Sequence, residues 1–384
     1  MFMIIIIYLC FISMGLPDGV LGAAWPVMHR DFAMPLSAAG IPSMIGSFCT
    51  IISALCSDFL TKRLSVAAVI TGSLFLTATG LFCVSRAQHF WLFCLMMVPL
   101  GLSGGSIDAA LNNYVALHYK ASIMSWLHAS WGVGAFIGPL ITAYFLEQGN
   151  WRNCYVIPAI AQTVILLIVI SAYRKWKSPK AEGKQRKPIP LKEILRVPGV
   201  GYITTAFFAY CAFEGVTFIW TGSYLVNVRG ITPPTAARYM SLFLIGMTVG
   251  RIINGFLSYK LSDKALIKLG CIVTLAGVLI VMIPHVPGVI TATGILVAGL
   301  GCAPIYPAII HSTPDNFGED KSQSVIGVQM AAAYLGITFI PPLFGALSSV
   351  TSLNIYPIAL ALLIAGTFVM SEILNRKIKC RCSS

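Results

Sequence analysis

Twelve apolar stretches of about 20 residues or more follow one another along this chain, the first near 3-28 and the last near 351-372, each closed by charges, Gly/Pro or turn residues. A helix that crosses the hydrocarbon core of a bilayer needs about that length, and in lipid a helix satisfies every backbone polar group within its own segment. The expected fold is therefore all-α, with 12 transmembrane helices. Composition agrees: of 384 residues, 57% are hydrophobic and only 10% charged, where a soluble domain carries about 25% charged residues. The opening run, Met1 to Cys10, lacks a basic leader and stays apolar past Trp25, so it is expected to remain as the first helix rather than act as a cleaved signal.

A formal net charge of +13 would suggest nucleic acid in a soluble protein. Here its distribution explains it. With both termini in the cytoplasm, 21 of the 26 Lys and Arg lie inside, and only Arg30, Arg86, Arg152, Arg229 and Arg238 lie outside. Cytoplasmic loops collect basic residues in this way, so the expected location is the cell inner (cytoplasmic) membrane, with no nucleic-acid partner. The one long polar segment, Arg174 to Arg196, reads as a cytoplasmic linker lying against anionic headgroups. Eleven cysteines are scattered through apolar segments, which fits small hydrophobic packing. No metal and no cofactor is expected, and the working unit is expected to be a monomer.

The linker lies near the middle of the chain, and the segments on either side of it match. Asp18-Gly19-Val20 recurs as Glu214-Gly215-Val216, and the run Phe59 to Ser65 recurs as Phe256 to Ser262. The offsets are nearly constant, as an internal duplication requires. The expected organisation is an N-terminal six-helix half, 1-173, the linker 174-198, a C-terminal six-helix half, 199-372, and a basic cytoplasmic tail, 373-384.

Five motifs carry a resemblance over essentially the whole chain: GLPDGVLGAAWP, GGSIDAALNNYVA, WLHASWGVGAFIGPL, FEGVTFIWTGSYL and GRIINGFLSYKLS. Together they resemble the fucose:proton symporter branch of the major facilitator superfamily. The resemblance implies the two-half major facilitator fold, with a solute site near the bilayer midplane. It also implies that the acids of helices 1 and 4, here Asp18 and Asp108, act in proton coupling and sugar recognition, with Asn112 beside them. The loop after helix 2 departs from the superfamily's usual form and keeps only Asp58, Lys62 and Arg63.

Of 13 acidic residues, Asp18, Asp108 and Glu214 alone fall well inside apolar spans. An ionised side chain there costs about 2.5-3.5 kcal/mol on the lenient insertion scale, which a group that can take up a proton and become neutral avoids. These three are the expected proton-coupling residues. A sugar offers an apolar face and a rim of hydroxyls, so its site needs aromatic platforms with amides and carboxyls among them. The candidates are Asn112, Asn113, Tyr114, Trp126, His128, Trp131, Tyr210, Trp220 and Tyr306. Asp58, Lys62, Arg63 and Arg251 are the candidate gating residues, with Arg251 either snorkelling to the cytoplasmic surface or pairing with Asp263 or the Asp315, Glu319 and Asp320 cluster.

The function these features imply is proton-coupled symport of a sugar or similar polar neutral solute by alternating access. Neutrality is expected because no Arg or Lys is evident near the midplane. The alternatives are an exporter of amphipathic small molecules, suited by abundant Met and Phe, and a non-transporting sensor of the same fold. An intramembrane enzyme is not expected, since no catalytic flanks surround Asp18 or Asp108.

Overall fold

The computed structural model describes residues 2–119, 121–176 and 191–382. Among them every long element is a helix and no strand occurs. In chain order the helices are α1 (Phe2–Gly15), α2 (Val20–Asp31), α3 (Gly40–Leu64), α4 (Val66–Ser85), α5 (Phe90–His118), α6 (Ala121–Glu147), α7 (Asn153–Ser171) and the short α8 (Leu191–Arg196). There follow α9 (Val200–Asn227), α10 (Pro233–Leu257), α11 (Asp263–Met282), α12 (Gly288–Cys302), α13 (Ile305–His311), α14 (Thr313–Phe317), α15 (Glu319–Val350) and α16 (Tyr356–Cys382). Among the described residues twelve helical stretches are long and apolar enough to cross a membrane, the number expected, and the protein is a multi-pass membrane protein.

Ten of those spans run without a break between helices. The first, Phe2–Asp31, joins α1 to α2, and the tenth, Gly288–His311, joins α12 to α13. The first breaks over Leu16, Pro17, Asp18 and Gly19, where Gly19 takes a left-handed φ of 78°, a conformation glycine adopts without steric cost. The tenth breaks at Ala303 and Pro304, before α13 resumes at Ile305. Elsewhere, hydroxyl groups inside the spans bond back to their own helix: Thr71 donates to the Ala67 carbonyl at 2.8 Å, Thr163 to Ala159 at 2.8 Å and Thr248 to Leu244 at 2.8 Å. A polar side chain in lipid is satisfied in this way without leaving its segment.

The chain divides into two compact units. The first comprises Met1–Gly183 and Thr221–Ser241, the second Lys184–Trp220 and Leu242–Ser384. In the first, α1 and α6 touch backbone to backbone: a Cβ on Gly134 would overlap the Ile12 carbonyl oxygen, and one on Gly138 that of Leu16. Small residues allow such approach where apolar attraction between helices is no stronger than to lipid. Gly101 and Gly105 of α5 meet the Gly46 and Thr50 carbonyls of α3 in the same manner. Around these contacts Ile6, Phe11, Ile70, Leu74, Leu111, Leu127 and Val169 form a buried core. The segment from Thr221 onward joins this unit through Gly222, which lies against the Gly22 carbonyl, and through an ion pair between Arg238 and Glu147.

The sequence duplication recurs as local structure. Ser65 and Ser262 occupy corresponding positions in the repeated loop, and each caps the helix that follows. Ser65 Oγ accepts from the Ala68 amide at the start of α4, and Ser262 Oγ from the Ala265 amide at the start of α11. A serine one residue before a helix satisfies one of its unpaired amides.

Candidate functional site

In the first unit the polar groups gather at the break in the first span. Pro17 and Gly19 end α1 and restart α2, which leaves Asp18 on a turn in mid-span rather than on a helical face. Its carboxyl lies deep among protein atoms and yet keeps open surface. The close α1 and α6 approach at Gly134 brings the indole of Trp131, three residues earlier, onto this turn, where Nε1 donates to Asp18 Oδ2 at 2.8 Å.

Asp108 of α5 is near enough for its charge to act on Asp18. One turn along α5, Asn112 Nδ2 donates to Asp108 Oδ1 at 3.0 Å, while Asn112 Oδ1 is buried with no hydrogen-bond partner. The arrangement thus combines one open carboxyl, a second acid in electrostatic reach, an indole that fixes the first acid's direction and an amide oxygen without a donor. It can exchange a proton and accept the hydroxyls of a polar solute.

The remaining first-unit candidates lie elsewhere. Tyr114 is in the buried core, stacked on His118 with ring centroids 4.3 Å apart and edge-on to Trp176 at 5.0 Å. Asn113 is exposed, and Trp126, at 62% exposure, is the more open of the two α6 tryptophans. Arg63 is exposed at the end of α3. The side chains of His128, Asp58 and Lys62 lie outside the described residues.

In the second unit a separate cluster forms around Glu214 of α9. Tyr210, one turn earlier, is buried, and its hydroxyl stands 2.8 Å from Glu214 Oε1 and 3.0 Å from the Cys302 carbonyl at the end of α12. A phenol has one hydrogen to donate. It cannot serve both acceptors fully, whereas a protonated Glu214 donating to Tyr210, which in turn donates to Cys302, satisfies the chain. The Cys302 carbonyl is at the break in the tenth span, where a helix end needs a partner from outside its own ladder.

Arg251 of α10 lies in the same unit. Asp263, one of the acids expected to pair with it, is 2.8 Å from His311 Nδ1, and the side chains of Glu319 and Asp320 lie outside the described residues. The charge of Arg251 acts on Glu214, and its Nη2 lies 3.5 Å from Met247 Sδ. Trp220 is fully buried and donates to the Pro341 carbonyl at 2.9 Å, packing on Phe344. Tyr306 is half-buried, its ring 4.8 Å from Phe207 and its hydroxyl 3.2 Å from Met330 Sδ.

Sequence reasoning missed two parts of these clusters: the break at Asp18 and the Cys302 carbonyl. The first had a local signal, because Leu16-Pro17-Asp18-Gly19 is a turn sequence inside an apolar run. The second depends on which helices come together.

Comparison with known proteins agrees with this architecture. The chain is 22% identical over 283 residues to Bypass of stop codon protein 6 of Saccharomyces cerevisiae, covering 66% of this chain and 56% of that protein. It is 21% identical over 269 residues to the glucose/mannose transporter GlcP of Bacillus subtilis, covering 66% and 65%. The chain thus spans about half to two thirds of the length of these relatives. The solved structure of the transporter FucP in the outward conformation superposes with a TM-score of 0.65 at 18% identity, covering 97% of this chain and 98% of that one. A family model described as Major Facilitator Superfamily matches residues 7–341, and the chain belongs to that superfamily, whose members are membrane transporters and not enzymes.

Proposed function

We propose that this protein is a secondary active transporter that carries a sugar or similar polar solute into the cytoplasm together with protons. The observation that carries the reading is Asp18: an acid on a turn in the middle of an apolar span, with exposed surface, held by Trp131 and in electrostatic range of Asp108. Its likeness to a glucose/mannose transporter supports a sugar or a molecule of similar polarity. In this reading the acid pair takes up a proton from outside, neutralisation permits the loaded protein to change access, and release into the less acidic cytoplasm resets the site.

The working arrangement is two six-helix halves, 1-173 and 199-372, rocking about a midplane site, with both termini, the linker 174-198 and the tail 373-384 on the cytoplasmic face of the inner membrane. Asp58, Lys62 and Arg63 then stand at the cytoplasmic gate, and a monomer suffices. A membrane potential of 100 mV is worth about 2.3 kcal/mol per charge, which supports about fiftyfold accumulation for one proton per solute.

The test is uptake of a labelled sugar panel into proteoliposomes under an inward proton gradient. Wild type is expected to accumulate its solute, while Asp18→Asn and Asp108→Asn equilibrate it without accumulation. Full gradient-driven accumulation by both variants would contradict the reading.

A further inference from the structure

Two oxygens stand within hydrogen-bond distance of the Tyr210 hydroxyl, Glu214 Oε1 at 2.8 Å and the Cys302 carbonyl at 3.0 Å. Two such contacts need two hydrogens. The carbonyl has none and the phenol has one, so the second sits on Glu214. In this arrangement Glu214 donates to Tyr210, and Tyr210 donates to the carbonyl. When the acid ionises, its own hydrogen is gone and its carboxylate competes for that of the phenol. A hydrogen bond to an ionised acceptor is about twice as strong as one to a neutral acceptor, so Tyr210 turns to Glu214. The Cys302 carbonyl then meets the phenol oxygen lone pair to lone pair, and the contact opens.

That contact holds the break in the tenth span. Up to the break α12 is fixed by backbone: a Cβ on Gly299 would overlap the Phe243 carbonyl oxygen of α10, and one on Gly301 the Thr274 amide of α11. Beyond it the chain passes through Ala303 and Pro304 into α13, and a proline brings no amide to pair the last carbonyls of the helix before it. α9 bridges the break from the side. Tyr210 reaches Cys302 before it, and the Phe207 ring lies 4.8 Å from the Tyr306 ring after it. Once the first tie is lost only the ring contact remains, and a ring contact fixes direction far less than a hydrogen bond does.

The geometry points to Glu214 as a second proton site, with Tyr210 as the positioning residue that passes its protonation state to the break in the tenth span. With the proton bound the break is tied to α9; with the proton released to water it is free to flex. This goes beyond the coupling proposed at Asp18 and needs no solute. The titratable and charged groups in reach of Glu214 are Tyr210 and Cys211 on α9, Arg251 on α10 and Cys302 at the end of α12, with Tyr306 on α13 across the Phe207 ring. Where α15 and α16 pack on α9 they bring Gly336, Ile337, Pro341, Gly366 and Thr367, none of which is charged. Arg251 and the thiols bear on the pH at which the acid ionises and leave the hydrogen count among the three oxygens unchanged.

The test reads the acid and the break separately, in purified full-length protein without solute, at pH 5 and pH 9. Infrared difference spectra follow the C=O stretch of a protonated carboxylic acid. Amide hydrogen exchange in the peptide containing α13, corrected for the intrinsic effect of pH, follows the break. Wild type is expected to lose at pH 9 a carboxylic-acid band that Glu214→Gln lacks, and its α13 amides to exchange about five- to tenfold faster there, the worth of one hydrogen bond. Glu214→Gln keeps a donor toward Tyr210 at both pH values and is expected to stay protected at both. Tyr210→Phe has no hydrogen to give and is expected to exchange fast at both, while its Glu214 band remains at pH 5 with a shifted frequency. The two variants depart from wild type in opposite directions, which misfolding cannot imitate. A Glu214 band absent at pH 5 or surviving at pH 9, pH-dependent α13 exchange in either variant, or Tyr210→Phe as protected as wild type at pH 5 would each overturn the inference. Neither readout involves solute, so these outcomes stand apart from those of the uptake test.

Discussion

Trp131 Nε1 donates to Asp18 Oδ2 across 2.8 Å, and this bond joins the interior of α6 to the break in the first membrane span. It exists because Gly134 lets α6 approach the α1 backbone, and because Pro17 and Gly19 hold Asp18 out of the helix. The acid is therefore oriented by its neighbours while part of its surface stays exposed.

Removing that donor while keeping an aromatic ring should separate orientation from folding. Trp131→Phe is expected to lower initial uptake about tenfold, the equivalent of one hydrogen bond to a charged group, while the melting temperature in detergent changes by only a few degrees. Uptake kinetics and a thermal melt of the same preparation check it. Unchanged uptake would show that the indole bond does not position Asp18.

The α1 and α6 contact itself has a stability consequence. Gly134→Ala places a methyl group on the Ile12 carbonyl oxygen, and overpacking of this kind costs about 1–3 kcal/mol. Gly104→Ala meets nothing within 4 Å and in a helix is expected to be neutral or slightly stabilising. The measurement is the difference in melting temperature between the two variants, with Gly134→Ala the lower.

Trp220 gives the opposite pattern from Trp131. It is fully buried and its one donor is used on the Pro341 carbonyl, so Trp220→Phe leaves that carbonyl unpaired at a cost of about 1–3 kcal/mol. A lower melting temperature with an unchanged KM for uptake is the expected result. A raised KM with unchanged stability would place the indole in contact with solute.

The charge bias predicts topology. A single cysteine introduced at Leu64, in a chain cleared of its native cysteines, is expected to react with a membrane-impermeant maleimide only in inside-out vesicles, and one at Gln148 only in right-side-out vesicles. Both sites are exposed at helix ends, Leu64 beside Arg63 and Gln148 in the turn after α6, so labelling reports sidedness rather than folding.

Most of the fold was legible because lipid imposes one rule on every span: a run of apolar residues long enough to cross must be a helix. The repeated loop was legible as well, since Ser65 and Ser262 perform the same capping in each copy. The site was legible only in part. Asp18, Asp108 and Glu214 announce themselves as acids in apolar sequence, and Trp131 and Tyr210 were named and meet two of them. Tyr114 and Trp220 carry the same aromatic signal, yet both are buried in packing, because an aromatic ring suits a core as well as a ligand. The contact between Tyr210 and the Cys302 carbonyl depends on α9 meeting the break in the tenth span, which no local pattern encodes.

The central claim is that solute and proton enter together through Asp18. Its most direct test is the pH of the external medium when the transported solute is added to de-energised, weakly buffered proteoliposomes. Wild type is predicted to alkalinise the medium in step with solute entry, and Asp18→Asn to admit solute down its gradient with no pH change. Equal alkalinisation by Asp18→Asn, or solute entry into wild-type vesicles with no alkalinisation at all, would contradict the account.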